Sequence, residues 1–424
     1  MTNPLQQRPN QDGRHTPNLW PVWLVAPGAL LLVGAAAFGL YHGAELLLSS
    51  EATSKKPVGV QDVIKTTVTV LTLIGAVLAA LYAYRKQLLD EGTSHRADST
   101  QLTERYTKAA EQLGHEQAAV RLAGVYAMAR LADDWPEQRQ VCVDVLCAYL
   151  RMPYETDTTA PAFRHGEREV RLTIIRTIRN HLQDPTTDTT WCGRDLDFTG
   201  ATFDGGDFSG SNFSGAQVNF NEVTFSGGQV NFSGATFSGG QVNFSGATFF
   251  DGQVNFSGSS FSGAQVYFDN AAFSGGKVNF SGSDFSGGRV NFDEVTFSGG
   301  QVFFGNAAFS GGWVDFSGAE FSGGRVIFSN ATFSDGWIIF SNATFSDSWI
   351  IFNEVTFSGS RVIFSHATFS DGQVIFSHAT FSDGQVDFGS TTHSGGRVSF
   401  QGSQIGAAAT INWGPFPSIP ANYP

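Results

Sequence analysis

Thirty-four of the 39 Phe residues in this 424-residue chain stand on one ladder from Phe198 to Phe400, and few folds accept such a ladder. The first steps are of five residues, through Phe198, Phe203, Phe208 and Phe213. From there steps of seven and five alternate, giving Phe220, Phe225, Phe232, Phe237, Phe244 and Phe249. A fixed short period marks a solenoid, in which each repeat is too small to bury its own apolar face and must stack on its neighbours. Two residues before each ladder Phe from Phe203 on stands a small or β-branched residue, as at Ala201, Gly206, Ser211, Val218, Val223, Val230 and Ala235. Strand alternation puts that residue and the Phe on one side and the residue between them on the other. Ser-Gly follows most of the Phe residues, as at Ser238-Gly239, and supplies Gly where the chain turns with positive φ.

Each unit is therefore a short strand and a corner. The pattern resembles the pentapeptide-repeat family, here as a Phe-rich variant with alternating spacings of five and seven, and the likeness runs from about Asp195 to about Ile405. It implies a right-handed quadrilateral β-helix. The seven-residue steps depart from the family's pattern, because a pair such as Gly228-Gln229 is added before every second unit. We read the additions as two widened corners in a coil of 24 residues, with eight such coils preceded by one coil from the first four pentapeptides. A two-sided coil of 12 residues is the alternative, and it would crowd two rings per turn into a narrow interior. Each stacked Phe contributes roughly 1.5–3 kcal/mol by burial. Trp191-Cys192-Gly193 before the first coil, and Trp413 with the tail from Pro415 to Pro424 after the last, are expected to cover the two ends. His393 breaks the Phe ladder and Ile405 closes it.

The first half of the chain has another character. After a polar, flexible lead over residues 1–18, residues 19–41 carry no charge, long enough to span a bilayer; a second candidate span, 63–84, is interrupted only by Lys65. The long lead and the second span argue against a secretory signal for the first. Arg8 and Arg14 before the pair, and Arg85, Lys86 and Arg96 after it, favour a multi-pass protein of the cell membrane with both ends, and so the solenoid, in the cytoplasm, although Lys55 and Lys56 lie in the loop. Residues 85–190 read as a helical linker domain, with helices expected at Arg105 to Leu113, Ala118 to Ala132, Glu137 to Arg151 and Glu167 to Leu182. Asp134-Trp135-Pro136-Glu137 reads as a capping box with an early Pro. The solenoid then spans 191–412 and the tail 413–424. The expected fold class is α + β: two transmembrane helices, a small α-helical block and a β-helix. This layout resembles bacterial membrane-anchored proteins that carry pentapeptide repeats, a likeness that implies no activity.

Charge follows the same division. Residues 195–424 hold 5 Lys and Arg against 18 Asp and Glu, so the whole net charge of −13 sits on the solenoid. Cys142, Cys147 and Cys192 form neither a disulfide framework nor a zinc pattern. No nucleophile elbow, phosphate loop or His-Glu-x-x-His motif occurs, so no catalytic residue, cofactor site or metal site is expected, and the chain reads as a non-enzyme. His366 and His378 occupy corner positions held elsewhere by Gly, Asn or Glu and read as turn residues.

One outward column leaves its polar background. The residue before each Phe on the Val-type strands starts as Asn219, Asn231, Asn243 and Asn255 and ends as Ile327, Ile339, Ile351, Ile363 and Ile375. The spacer position changes from Gln229, Gln241 and Gln253 to Trp313, Trp337 and Trp349, with Arg289, Arg325 and Arg361 interleaved. A 24-residue coil stacks Trp313 under Trp337, between Arg289 and Arg361, which suits cation–π contact. The bland reading is that these residues only brace neighbouring rungs; an exposed apolar patch more often marks an interface. The expected function is therefore a membrane-anchored, non-catalytic scaffold. Its partners are the lipid bilayer and either another protein or a second rod, bound through Trp313, Trp337, Trp349, the five Ile residues, Arg325 and Arg361, with no nucleic acid. The alternative is an acidic rod that mimics duplex DNA and binds a topoisomerase, as some pentapeptide-repeat proteins do; its acidic residues are sparse for a phosphate lattice.

Overall fold

Four columns of Phe need four walls. The computed structural model describes residues 60–418 and, before them, Leu31, Gly34, Ala35, Phe38, Gly39 and His42. From Leu196 to Asn412 the chain runs through strands of two or three residues that form four parallel sheets. Ten strands make the first face and nine each the second and third. The fourth face has five strands, from Ala308 to Ile405, and before them a line of single bridges from Asn212 through Thr236, Ser260 and Asp284 to Ala308. Gln265 pairs with Arg289 and Arg289 with Trp313, so the coil is 24 residues long and the two-sided coil of 12 is excluded. The result is a right-handed-type β-solenoid of about 9 turns. Only the end coils depart from this register: Leu196 pairs with Val218, and Val386 with Ile411.

All ladder Phe residues are buried, and each stacks on the Phe one coil away. Phe292, for example, lies 4.7 Å from Phe268 and 4.6 Å from Phe316, with rings parallel to within 4°. Rings that follow the first and third faces meet edge to face across the interior, as Phe268 does Phe280 at 5.9 Å and 88°. Both geometries suit the aromatic quadrupole. Val-type strands form the first and third faces, and Ala- or Thr-type strands the second and fourth.

The corners carry positive φ at Gly and also at residues such as Asn330, Glu354 and Asp335; His366 (φ 62°) and His378 (φ 58°) take this same turn role at different corners. In the wide corners the next residue lies against the coil below. A Cβ on Gly312 would sit 2.7 Å from the Gly288 carbonyl oxygen, so these places hold Gly or small residues such as Ala216 and Ser348.

From Val60 to the solenoid the described residues form four α-helices: α1 (Val60–Leu113), α2 (Ala118–Asp134), α3 (Arg139–Arg151) and α4 (Glu167–His181). A single 3-10 turn, Pro136–Gln138, leads into α3; no side chain caps it, so the expected capping box does not form. Glu104–Pro424 are one compact unit, helical block and solenoid together, and Met1–Thr103 are another.

Helix α4 closes the first coil. Ile175 fills the space a side chain on Gly206 would need, Arg179 donates to the Ser209 carbonyl at 3.0 Å, and the Leu182 carbonyl accepts from the Asn212 amide at 2.7 Å. Trp191, expected with Cys192 and Gly193 to cover this end, is buried and stacks on His181 of α4, with ring centroids 4.2 Å apart. At the far end Trp413 meets Phe400 edge-on at 5.1 Å. Phe416 lies edge-on to Phe369, Phe388 and His393, which covers the gap in the ladder.

The expected second span, 63–84, falls inside α1, which runs on through charged sequence to Leu113. Among the described residues no helix is long and apolar enough to cross a membrane. Most of the expected first span, 19–41, lies outside the described residues, as do residues 1–18 and the tail from 419.

Candidate interaction surface

On each Val-type strand the middle residue and the following Phe point inward, which leaves the spacer residue and the one before the Phe outside. On the first face this builds a column Arg289, Trp313, Trp337, Arg361, each residue paired in register with the next. The two indoles stack at 5.4 Å and 22°, with the Arg289 guanidinium 5.6 Å from the Trp313 ring and that of Arg361 4.8 Å from the Trp337 ring. Both indoles thus have their faces covered and their edges in solvent, each 41% exposed.

Trp349 does not belong to this column. It lies on the third face, where Arg325 covers it at 5.1 Å, because half a coil separates it from Trp337. The expected single patch is therefore two patches on non-adjacent walls. Ile339 and Ile363 belong with Trp313 and Trp337. Ile327, Ile351 and Ile375 belong with Trp349 and Arg325, in a column that begins at Phe303. The five Ile residues are half-buried, since each lies between the side chains of the coils above and below.

Two features escaped the sequence reading. Lys277 lies over Phe303 at 4.9 Å, a diagonal across one strand pair that the column analysis of Trp and Arg did not cover. Phe250, beside the ladder Phe249, is 51% exposed on the second face. The ion pairs among the described residues all lie in the helical block or between it and the first coil, as in Arg151 with Asp197, Arg168 with Asp204 (2.9 Å) and Arg179 with Asp207 (3.4 Å). Among the described residues, therefore, Lys277, Arg289, Arg325 and Arg361 lie over aromatic rings and make no salt bridge, although the Asp269 carboxylate is near enough to Arg289 to feel its charge.

Other chemistry is buried. Cys142 is buried, which raises its thiol pKa to about 11, and burial together with Asp144 pushes that of Cys147 higher still. Tyr149 is raised to about 12, first by burial and then by Glu167, to which its hydroxyl donates at 3.0 Å. Among the described residues no group of three or more His, Cys, Asp and Glu side chains is placed to hold a metal ion.

A four-walled parallel solenoid with a Phe-filled interior and outward cation–aromatic columns defines a repeat protein whose chemistry lies on its faces. Residues 198–248 match the family model described as pentapeptide repeats (9 copies), and the same stacked coils continue beyond them to Asn412. Comparison with curated proteins gives no match.

Proposed function

We propose that the chain is a membrane-anchored, non-catalytic scaffold whose solenoid presents protein-binding surfaces on its first and third faces. The observation that carries this reading is the exposure of Trp313, Trp337 and Trp349 at 41–43% under guanidinium groups that make no salt bridge among the described residues. Aromatic and Arg side chains are the residues that dominate binding energy at interfaces. Nothing in the core needs them there, since earlier coils hold Gln217, Gln241 and Gln265 at the same place.

The anchor is supported by α1. Its described residues Val68, Leu73, Val77, Leu78, Leu81 and Tyr82 are exposed, an apolar surface of the kind that lipid covers. The Thr69 and Thr72 hydroxyls donate to the carbonyls four residues back, at 2.8 and 2.7 Å, which satisfies them without water. A duplex mimic is the weaker reading. In the later coils Asp335, Asp347, Glu354, Asp371 and Asp383 stand singly at corners, while the cationic columns hold two of the walls.

The test is fractionation of full-length protein, followed by sizing in detergent of the chain with each face restored to the residues of earlier coils. The protein is expected in the carbonate-washed pellet. Trp337→Gln with Ile339→Asn, or Trp349→Gln with Ile351→Asn, is expected to reduce the assembled species without changing the melting temperature. Recovery in the supernatant contradicts the anchor; an assembly state blind to both pairs contradicts the scaffold.

A further inference from the structure

The two patches differ in one respect that identifies a partner for the first face. There the outer columns run side by side: Arg289, Trp313, Trp337, Arg361, Gln385 in one and Asn291, Asp315, Ile339, Ile363, Asp387 in the other. Aromatic and aliphatic residues are thus bracketed by Arg in one column and by Asp in its neighbour, each Asp one coil beyond the corresponding Arg. The third face carries Lys277, Arg325 and Arg397 beside Phe303, Ile327, Ile351 and Ile375, and its acidic residue, Asp207, is already paired with Arg179. Only the first face is complementary to itself.

We propose that the first face is a homotypic interface, at which two copies of this chain lie side by side and parallel about a two-fold axis along the solenoid. The proposal rests on the reading of the rod as a scaffold and names its partner. Such an axis sets the spacer column of one copy over the second column of the other, coil for coil. Trp337 then faces Ile339 of the second copy at the centre. Arg361 reaches Asp387 and Arg289 reaches Asp315 across one coil step of ~4.8 Å, which a guanidinium on its flexible stem spans. An antiparallel pair centred between the two indoles would instead oppose Arg289 with Arg361. In the earlier coils Gln241 and Gln265 would face Asn243 and Tyr267, amide against amide or hydroxyl.

The carboxylates keep acceptor capacity for this. Asp315 accepts the Ser317 amide at 3.0 Å and the Ser317 hydroxyl at 2.5 Å, both on Oδ1, so that Oδ2 is not used in either bond. Asp387 takes Gly389, Asn412 and Ser365, none of them charged. Ten strands ~4.8 Å apart and three residues wide give roughly 450 Å² per copy, about half of a standard interface. Pairing therefore depends on two chains held parallel in one membrane, where linkage raises the effective concentration.

The test is co-purification of two differently tagged full-length chains expressed together. Wild-type copies are expected to retain each other. Arg361→Asp alone and Asp387→Arg alone are each expected to lose at least tenfold of the retained partner, because each confronts like charges across the axis. An Arg361→Asp chain expressed with an Asp387→Arg chain is expected to recover it, since both cross-pairs are then opposite in sign. The same trio at Arg289 and Asp315 guards against a folding defect at one site, and Arg325→Asp on the third face is expected to change nothing. Copies that never co-purify, single variants that co-purify like wild type, or a mixture no better than the single variants would overturn the proposal. Binding lost through third-face variants alone would sink it while sparing the scaffold reading.

Discussion

A Phe residue in this chain is placed by its neighbours two positions back and one coil away. Strand alternation made the inward side legible, because apart from Leu196 and His393 the residues at both inward positions are small, β-branched or Phe. Phe292 is completely buried between two parallel rings. Phe292→Asp is expected to cost several kcal/mol, since it leaves a charge without a partner in a dry stack. Gln301→Asp on the exposed spacer column should cost within ~0.5 kcal/mol. Melting temperatures of the two variants check this, and equal values would refute the inward assignment. The outer columns were only half legible: their residue types are plain in the sequence, but 12 residues of offset carry Trp349 to a different wall from Trp337, and the choice between walls follows from the coil length alone.

Elements of the helical block show a different limit. Helical periodicity located α2, α3 and α4 to within a few residues, yet it did not reveal that these helices close the solenoid. That depends on long-range polar pairs, such as Tyr154 with Asp204 at 2.9 Å, which leave no local pattern. At the centre of the block Arg121, with no side-chain exposure, meets Glu167 at 3.1 Å and donates to the His115 carbonyl at 2.9 Å. Removal of one member strands the other charge, so Glu167→Ala is expected to cost roughly 3–5 kcal/mol. Arg121→Met with Glu167→Leu should recover most of it, as read by urea denaturation; a mild single variant would show that Arg121 is not held by this pair.

One run of corners carries strain of its own. Burial, with the Asp315 and Glu294 charges behind it, raises the pKa of Asp293, and burial together with Asp293 raises that of Asp269. For a carboxyl whose folded pKa is raised, the cost of the charge is fully present above that pKa and disappears as pH falls through it. Asp293→Asn should therefore raise the melting temperature at neutral pH and make no difference near about pH 3, where the carboxyl is protonated in both states. A variant less stable at neutral pH would contradict the electrostatic cause.

At the scale of the whole molecule, sequence and structure agree on a charge-balanced first half and an acidic solenoid, whose 5 basic residues all stand at spacer positions of the first and third faces. The residues around the expected first span are mostly beyond those described, and the proposed membrane anchor draws its support from the exposed apolar residues of α1. The central claim is that the first and third faces, and not the second and fourth, meet other proteins. The most direct measurement is photo-cross-linking in intact cells, with a photoreactive residue placed in turn at Trp337, Trp349, Thr344 and Thr356, which lie on the first, third, second and fourth faces. Adducts are predicted from positions 337 and 349 and not from 344 and 356; adducts from all four alike, or from none, would contradict it.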